Sequence, residues 1–363
     1  LAFSIFSALY DVGQIEVLRG PQGTLRGRTA PTGAITIGSR RPDMDAFGGY
    51  VDGQIQGNER IGYTVQGAVG GPIIPEVLAI RLAGFYQKDD FNGTRSLSTG
   101  AESEQRTKSG RATLLFSPGD RFELLATYQQ NRTDQQKIHR VSGAGRGYNG
   151  PQLTGGENFG VAESPSFTET TFRFASLNAK YDFDFATLNY IGGWTKTVQN
   201  QKDGRFGADP GNAIIGFDYV PGSSARIEVQ QWSHELRLQS NSGPGDFLDW
   251  TVGYYRANGG SRVDQNITFV SAGPGAGILG DPAIVGPAGP AIPRASDVNL
   301  NYLTRGVLRL EPGSFNIFGD PGRDLEQSVF ASTTFNFDAG THVRLLVAIP
   351  LLLLAQLEWQ LPV

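Results

Sequence analysis

An all-β, antiparallel transmembrane barrel is the fold that this sequence predicts, and three observations predict it. From residue 48 onward, apolar and polar residues alternate with period two, which gives each strand two chemically different faces. The connections between these segments alternate between short and long. The composition is also rich in glycine and aromatics and poor in charge, with 49 Gly, 22 Phe and 12 Tyr among 363 residues and 18% charged. Barrels with aromatic girdles have that composition. A soluble all-β repeat shares it, so the loop pattern carries more weight.

In 77–87, Leu78, Ile80, Leu82 and Tyr86 fall on one face, with Arg81 and Gln87 on the other. In 121–131, Phe122, Leu124, Ala126 and Tyr128 oppose Arg121, Glu123, Thr127 and Gln129. In 227–240, Trp232, Leu236 and Leu238 oppose Glu235, Arg237 and Gln239. The same reading places strands at 49–57, 61–70, 105–116, 169–181, 186–199, 250–259 and 324–337. That makes ten, with an eleventh available at 341–349.

Short connections fall at 71–76, 117–120, 182–185, 241–249 and 338–340. After a tight first hairpin at 58–60, long ones fall at 91–104, 132–168, 200–226 and 260–323. Short turns on one rim and long loops on the other suit a membrane barrel, whereas a soluble sandwich has no reason to segregate them. The 260–323 connection is rich in Gly, Pro and Ala and is expected to be mobile. The end of the chain, RLLVAIPLLLLAQLEWQLPV, shows no alternation and is too short for a membrane helix, which takes about 20 residues. Residues 341–363 are therefore expected to be an atypical tail, foreign to the barrel.

The stretch 15–42 reads IEVLRGPQGTLRGRTAPTGAITIGSRRP. Ile15, Val17 and Leu18 are strand formers, Gly20-Pro21-Gln22-Gly23 is a turn tetrapeptide, and Ala34-Ile35-Thr36-Ile37 resumes a strand after Gly27 and Gly33. Local physics gives a compact, glycine-rich α+β or β piece. Order and spacing say more, because LRGPQGTLRGRTAPTGAITI closely resembles the last third of the plug domain of TonB-dependent outer-membrane receptors. Arg26 stands where that family usually has an aromatic, and Gly38-Ser39 replaces a more β-prone pair.

The resemblance implies the end of a small α/β plug over 1–47 and a partial barrel over 48–340. Family barrels have 22 strands, of which this chain would supply ten or eleven. A half-barrel alone would leave two unpaired edges in lipid, so the chain is expected to be a fragment of a longer receptor. The first residues, LAFSIFSALYDVG, lack the basic segment and cleavage site of an export signal, in keeping with a missing beginning.

Chemistry narrows the function. With no cysteine, disulfides, thiolate zinc sites and thiol nucleophiles are excluded. A net charge of −4 and no basic run beyond two residues argue against nucleic acid. His139, His234 and His342 lie on separate elements, and pairs such as Asp89-Asp90 or Asp182/Asp184 sit at turns, where solvation explains them. Gly143-Ala144-Gly145-Arg146-Gly147 follows no βαβ pattern. No enzyme, metal site or cofactor is expected.

The resemblance implies instead active uptake of a scarce ligand, a ferric siderophore, cobalamin or a glycan, across a Gram-negative outer membrane. Its partners would be the TonB–ExbB–ExbD complex, reached through a plug N-terminus absent here, and outer-membrane lipid. Plug arginines of the family pair with glutamates on the inner wall. Arg19 and Arg28 match the plug positions, and Glu235, beside Arg237, matches the wall. Gly20, Pro21, Gly23, Gly27 and Gly33 are expected to be structural, and Phe91, Tyr148 and Phe159 to offer ligand contacts. A passive channel or structural barrel is the alternative, and a soluble carbohydrate-binding β-protein a third reading.

Overall fold

The computed structural model describes residues 9–19, 33–57, 61–90, 93–96, 100–138, 159–160, 165–202, 224–241, 247–272, 310–318, 322–337 and 341–350. β1 (Val12–Arg19) and β2 (Gly33–Ser39) form an antiparallel pair. The wall comprises β3 (Gly48–Gly57), β4 (Ile61–Ile74), β5 (Leu78–Asp89), β7 (Glu104–Phe116), β8 (Phe122–Lys137), β10 (Ser166–Asp182), β11 (Ala186–Lys202), β12 (Ser224–Ser240), β13 (Leu248–Ala272), β15 (Gly322–Phe337) and β16 (Thr341–Pro350). Each pairs antiparallel with the next, and β14 (Leu310–Phe318) pairs with the far end of β13. Two short segments, β6 (Arg95–Ser96) and β9 (Phe159–Gly160), pair in parallel beyond the wall.

The ten expected wall strands are present, and several are longer than the alternation suggested. One expectation changes. Thr341–Pro350 is not foreign to the wall, because it pairs with Ser328–Phe337 in continuous register. Thr341, Val343, Leu345, Val347 and Ile349 are all strand formers at every second position, and Leu345 is exposed. Residues 351–363 lie outside the described residues. The segment before the wall is the antiparallel β1–β2 pair, with no helix among its described residues.

Register rows show why the wall is stable only with its two faces in different media. One face carries the N-terminal segment and is polar: Thr107, Thr113, Asn131, Thr197, Glu235 and Ser332 are buried there. Thr107 bonds Thr133 at 3.3 Å and Gln135 donates to Gln105 at 3.0 Å, so these polar groups satisfy one another across strands. The opposite face leaves large apolar side chains uncovered, including Val51, Leu82, Leu177, Trp232, Leu236 and Val252. Burying polar groups and exposing a continuous apolar face costs free energy in water and lowers it in hydrocarbon.

Aromatic pairs bound that apolar face. Near the short turns, Phe116 meets Phe122 at 6.1 Å and Tyr181 meets Phe183 at 4.7 Å. Toward the long connections, Tyr63 stacks on Tyr86 at 5.7 Å and Trp194 meets Trp232 at 5.8 Å. From Phe122 to Arg132, ten residue steps along β8 rise roughly 25 Å at a typical barrel tilt, the height of an outer-membrane apolar band. Glycine admits one bulky side chain on the inner face. Phe330, 1% exposed, stands opposite Gly253, and any Cβ there would lie inside its ring.

Candidate functional site: where the N-terminal segment meets the wall

The β1–β2 pairing loses register between Val12 and Gln14, where a Cβ added at Gly13 would lie 3.2 Å from the backbone of Ser39 and Arg40. This irregularity turns the chain toward the wall. Asp11 takes a left-handed conformation, with φ of 49°, which Asp tolerates better than most residues. The Arg40 amide donates to the Asp11 carbonyl at 3.1 Å and closes the hairpin at that point.

Asp11 and Tyr10 are the residues this turn delivers, and both are buried. Arg81 of β5 grips the Asp11 carboxylate with two donors, Nε to Oδ2 at 2.8 Å and Nη2 to Oδ1 at 2.5 Å. Arg111 of β7 adds Nη2 to Oδ2 at 3.2 Å and also donates to the carbonyls of Tyr10 and Asp11, at 3.0 and 2.9 Å. Strand alternation aims both arginines at the inner face, on neighbouring strands one register step apart.

The Tyr10 ring stacks on Phe85 at 5.5 Å and lies under the Arg111 guanidinium at 4.8 Å. Its hydroxyl shares a 2.8 Å hydrogen bond with Ser109, whose hydroxyl donates onward to Asn131. Burial pushes the Asp11 carboxyl up, but the bonds and charges of Arg81 and then Arg111 outweigh it, leaving the group below its ordinary range. Burial pushes the Tyr10 phenol above its ordinary value, against the pull of Ser109 and Arg111. A second ion pair, Arg41 to Glu123 at 2.6 Å, joins the hairpin exit to β8, with both side chains about half exposed.

This is an anchor between two parts of one chain, and among the described residues no cluster of His, Cys, Asp or Glu could hold a metal ion. Of the residues singled out in the sequence, Glu235 and Arg237 face inward side by side and form an ion pair with each other. Arg19 is the exposed last residue of β1. Gly33 has a φ of 125°, and a Cβ there would strike the Leu18 carbonyl, so only glycine fits. Phe159 opens β9 opposite Arg95. Gly20, Pro21, Gly23, Gly27, Arg28, Phe91 and Tyr148 lie outside the described residues. His234, on the outward face, bonds the Tyr190 hydroxyl at 2.8 Å.

No protein-family model matches the chain. The pesticin receptor of Yersinia enterocolitica is 32% identical over 274 residues, 73% of this chain and 36% of that protein. The chain is homologous to TonB-dependent outer-membrane receptors. The pesticin receptor of Yersinia pestis is 26% identical over 274 residues, with the same coverage. This receptor homologue therefore spans about a third of the length of the curated relatives it matches.

Solved receptors share the fold. The ferric yersiniabactin uptake receptor of Yersinia pestis superposes with a TM-score of 0.56 at 18% identity, covering 95% of this chain and 49% of that one. The ferripyoverdine receptor of Pseudomonas aeruginosa gives 0.58 at 15% identity, covering 93% and 41%.

Sequence reading missed this anchor. Arg81 was visible on the polar face of its strand, but Tyr10 and Asp11 carried no local sign of a partner. The available signal was an aromatic-acid pair directly before the plug motif, with arginines on inward positions of two neighbouring strands.

Proposed function

We propose that this chain forms the end of the plug and part of the wall of a receptor for TonB-dependent uptake of a ferric siderophore across a Gram-negative outer membrane. The observation that carries the reading is the buried Asp11–Arg81–Arg111 cluster, which fixes a plug segment on the polar face of an apolar-backed wall. A permanently open pore has no need of such a seat. The names of the relatives favour a siderophore over cobalamin or a glycan. The TonB–ExbB–ExbD complex is the proposed source of pulling force on the plug.

In this reading Arg19 and Arg28 approach Glu235, with Arg237 holding that carboxylate toward them, and Phe91, Tyr148 and Phe159 belong to the ligand-contacting loops. Plug retention in the full-length receptor after Glu235→Ala checks the first point, and unchanged leakiness refutes it. The uptake reading is tested by following radiolabelled ferric yersiniabactin into cells whose only route is the full-length receptor. Entry should stop when the proton-motive force is collapsed. Entry that persists after collapse identifies a passive channel.

A further inference from the structure

We propose that the outward face of the wall binds the phosphate of an anionic lipid headgroup through Lys108, Arg132 and Arg173; this rests on the reading that the apolar face meets a bilayer. Lys108 on β7 stands directly opposite Arg132 on β8, and Arg173 on β10 stands opposite Gln130, one outward step from Arg132. Like charges placed directly opposite in a sheet repel and weaken it. Here they span three strands over two adjacent outward rows, where an anion would remove the repulsion.

Arg132 is held by Asp134 at 3.0 Å and Glu169 at 2.8 Å, and both carboxylates belong to the row farther from the apolar face. Lys108 lies over the Tyr86 ring at 6.0 Å, and Arg173 donates to Gln130 at 3.1 Å. Neither Lys108 nor Arg173 has a carboxylate partner among the described residues. The cations thus keep donors that the protein's own acids do not use.

Their height selects the ligand. The next outward row toward the short turns holds Gly84 and Gly110, directly opposite each other and open above their backbones. Below it come Leu82, Ala112 and Tyr128 of the apolar face. A phosphate at the cations would place its ester chain over this shallow strip and its acyl chains along Leu82 and the residues beneath. A free phosphate would gain the charge contacts but none of the apolar ones. Amphiphilic anions are therefore favoured.

The test uses the full-length protein reconstituted in phosphatidylethanolamine vesicles with and without bis-phosphorylated lipid A. Lipid retained after extraction is counted by native mass spectrometry. Lipid A should be retained and should resist a large excess of inorganic phosphate. The double variant Lys108→Gln/Arg173→Gln should hold it at least tenfold more weakly, whereas Arg262→Gln, a distant outward cation, should not change retention. Equal retention by the double variant, equal loss in Arg262→Gln, or displacement by inorganic phosphate would each overturn the site. The gel shift of heat-unfolded protein confirms that each variant is folded. Failure of the protein to enter vesicles at all would instead overturn the barrel reading on which the site depends.

Discussion

Asp11 and Arg81, 70 residues apart in the chain, meet carboxylate to guanidinium with two parallel donors, and the Asp11 side chain is only 1% exposed. The geometry is the planar fork that Arg offers and Lys does not. The Arg81 and Arg111 side chains are 12% and 9% exposed, so neither charge has water to replace its partner.

Removing that carboxylate should release the plug segment without unfolding the wall. Asp11→Asn keeps the tolerance for the left-handed backbone but strands two buried cations, a loss of about 3–5 kcal/mol. Amide hydrogen exchange at Arg40, whose N–H is bonded to the Asp11 carbonyl, should then speed up roughly a hundredfold or more. Exchange unchanged from the parent protein would mean that the pair does not hold the segment.

Tyr10 separates packing from hydrogen bonding. Tyr10→Phe loses only the bond to Ser109 and should weaken the seat by about 1 kcal/mol. Tyr10→Ala also loses the stack on Phe85 and the contact with Arg111 and should cost about 3–5 kcal/mol. The same exchange measurement ranks the two, and equal effects would assign the seat to the hydroxyl alone.

Acid should unseat the plug late. A carboxyl whose folded value lies below its ordinary one stabilises the folded form fully above that ordinary value, and the contribution fades as pH falls through the lowered value. The ordinary value for Asp is about 3.9. Seating should therefore be constant from neutral pH down to about pH 5 and be lost only well below about pH 4. Hydrogen exchange at the Arg40 amide, corrected for the intrinsic pH dependence of exchange, reads the transition across that range. Release near pH 6 would point to a different group.

Gly253→Ala is expected to destabilise the wall by about 1–3 kcal/mol, because its methyl would occupy the seat of the Phe330 ring. Phe330 also lies 5.7 Å beneath the Arg237 guanidinium, so the disturbance should reach the Glu235–Arg237 pair. Gly253→Ala/Phe330→Leu should recover part of the loss in the urea midpoint of the full-length protein. No recovery would place the strain in the backbone.

Much of the wall was legible because a half-apolar strand writes its two faces into alternate residues. In β5 the apolar set Leu78, Ile80, Leu82 and Tyr86 marks one face along its whole length. The upper ends of β8 and β10 through β13 were not legible. There Arg132 and Asp134 point outward and Thr133 inward, so both faces are polar and the contrast vanishes while backbone pairing continues. β16 was obscured for the opposite reason, since Leu345-Leu346-Val347-Ala348 is apolar on both sets. The anchor was illegible on other grounds. Asp11 finds Arg111 100 residues away, and no local period encodes a contact at that separation.

From β5 to β16 the described pairings run without a bulge, the irregularities falling earlier, at Val12/Gln14 and Pro72/Ile74. Such a sheet reads its sequence in a fixed frame of two. Inserting one residue into β12 would send Glu235 and Arg237 into hydrocarbon and bring Trp232 and Leu236 against the plug. No neighbouring strand carries a defect to absorb the slip. Natural length variants of this protein should therefore differ in the connections, and the wall strands should change by substitution alone.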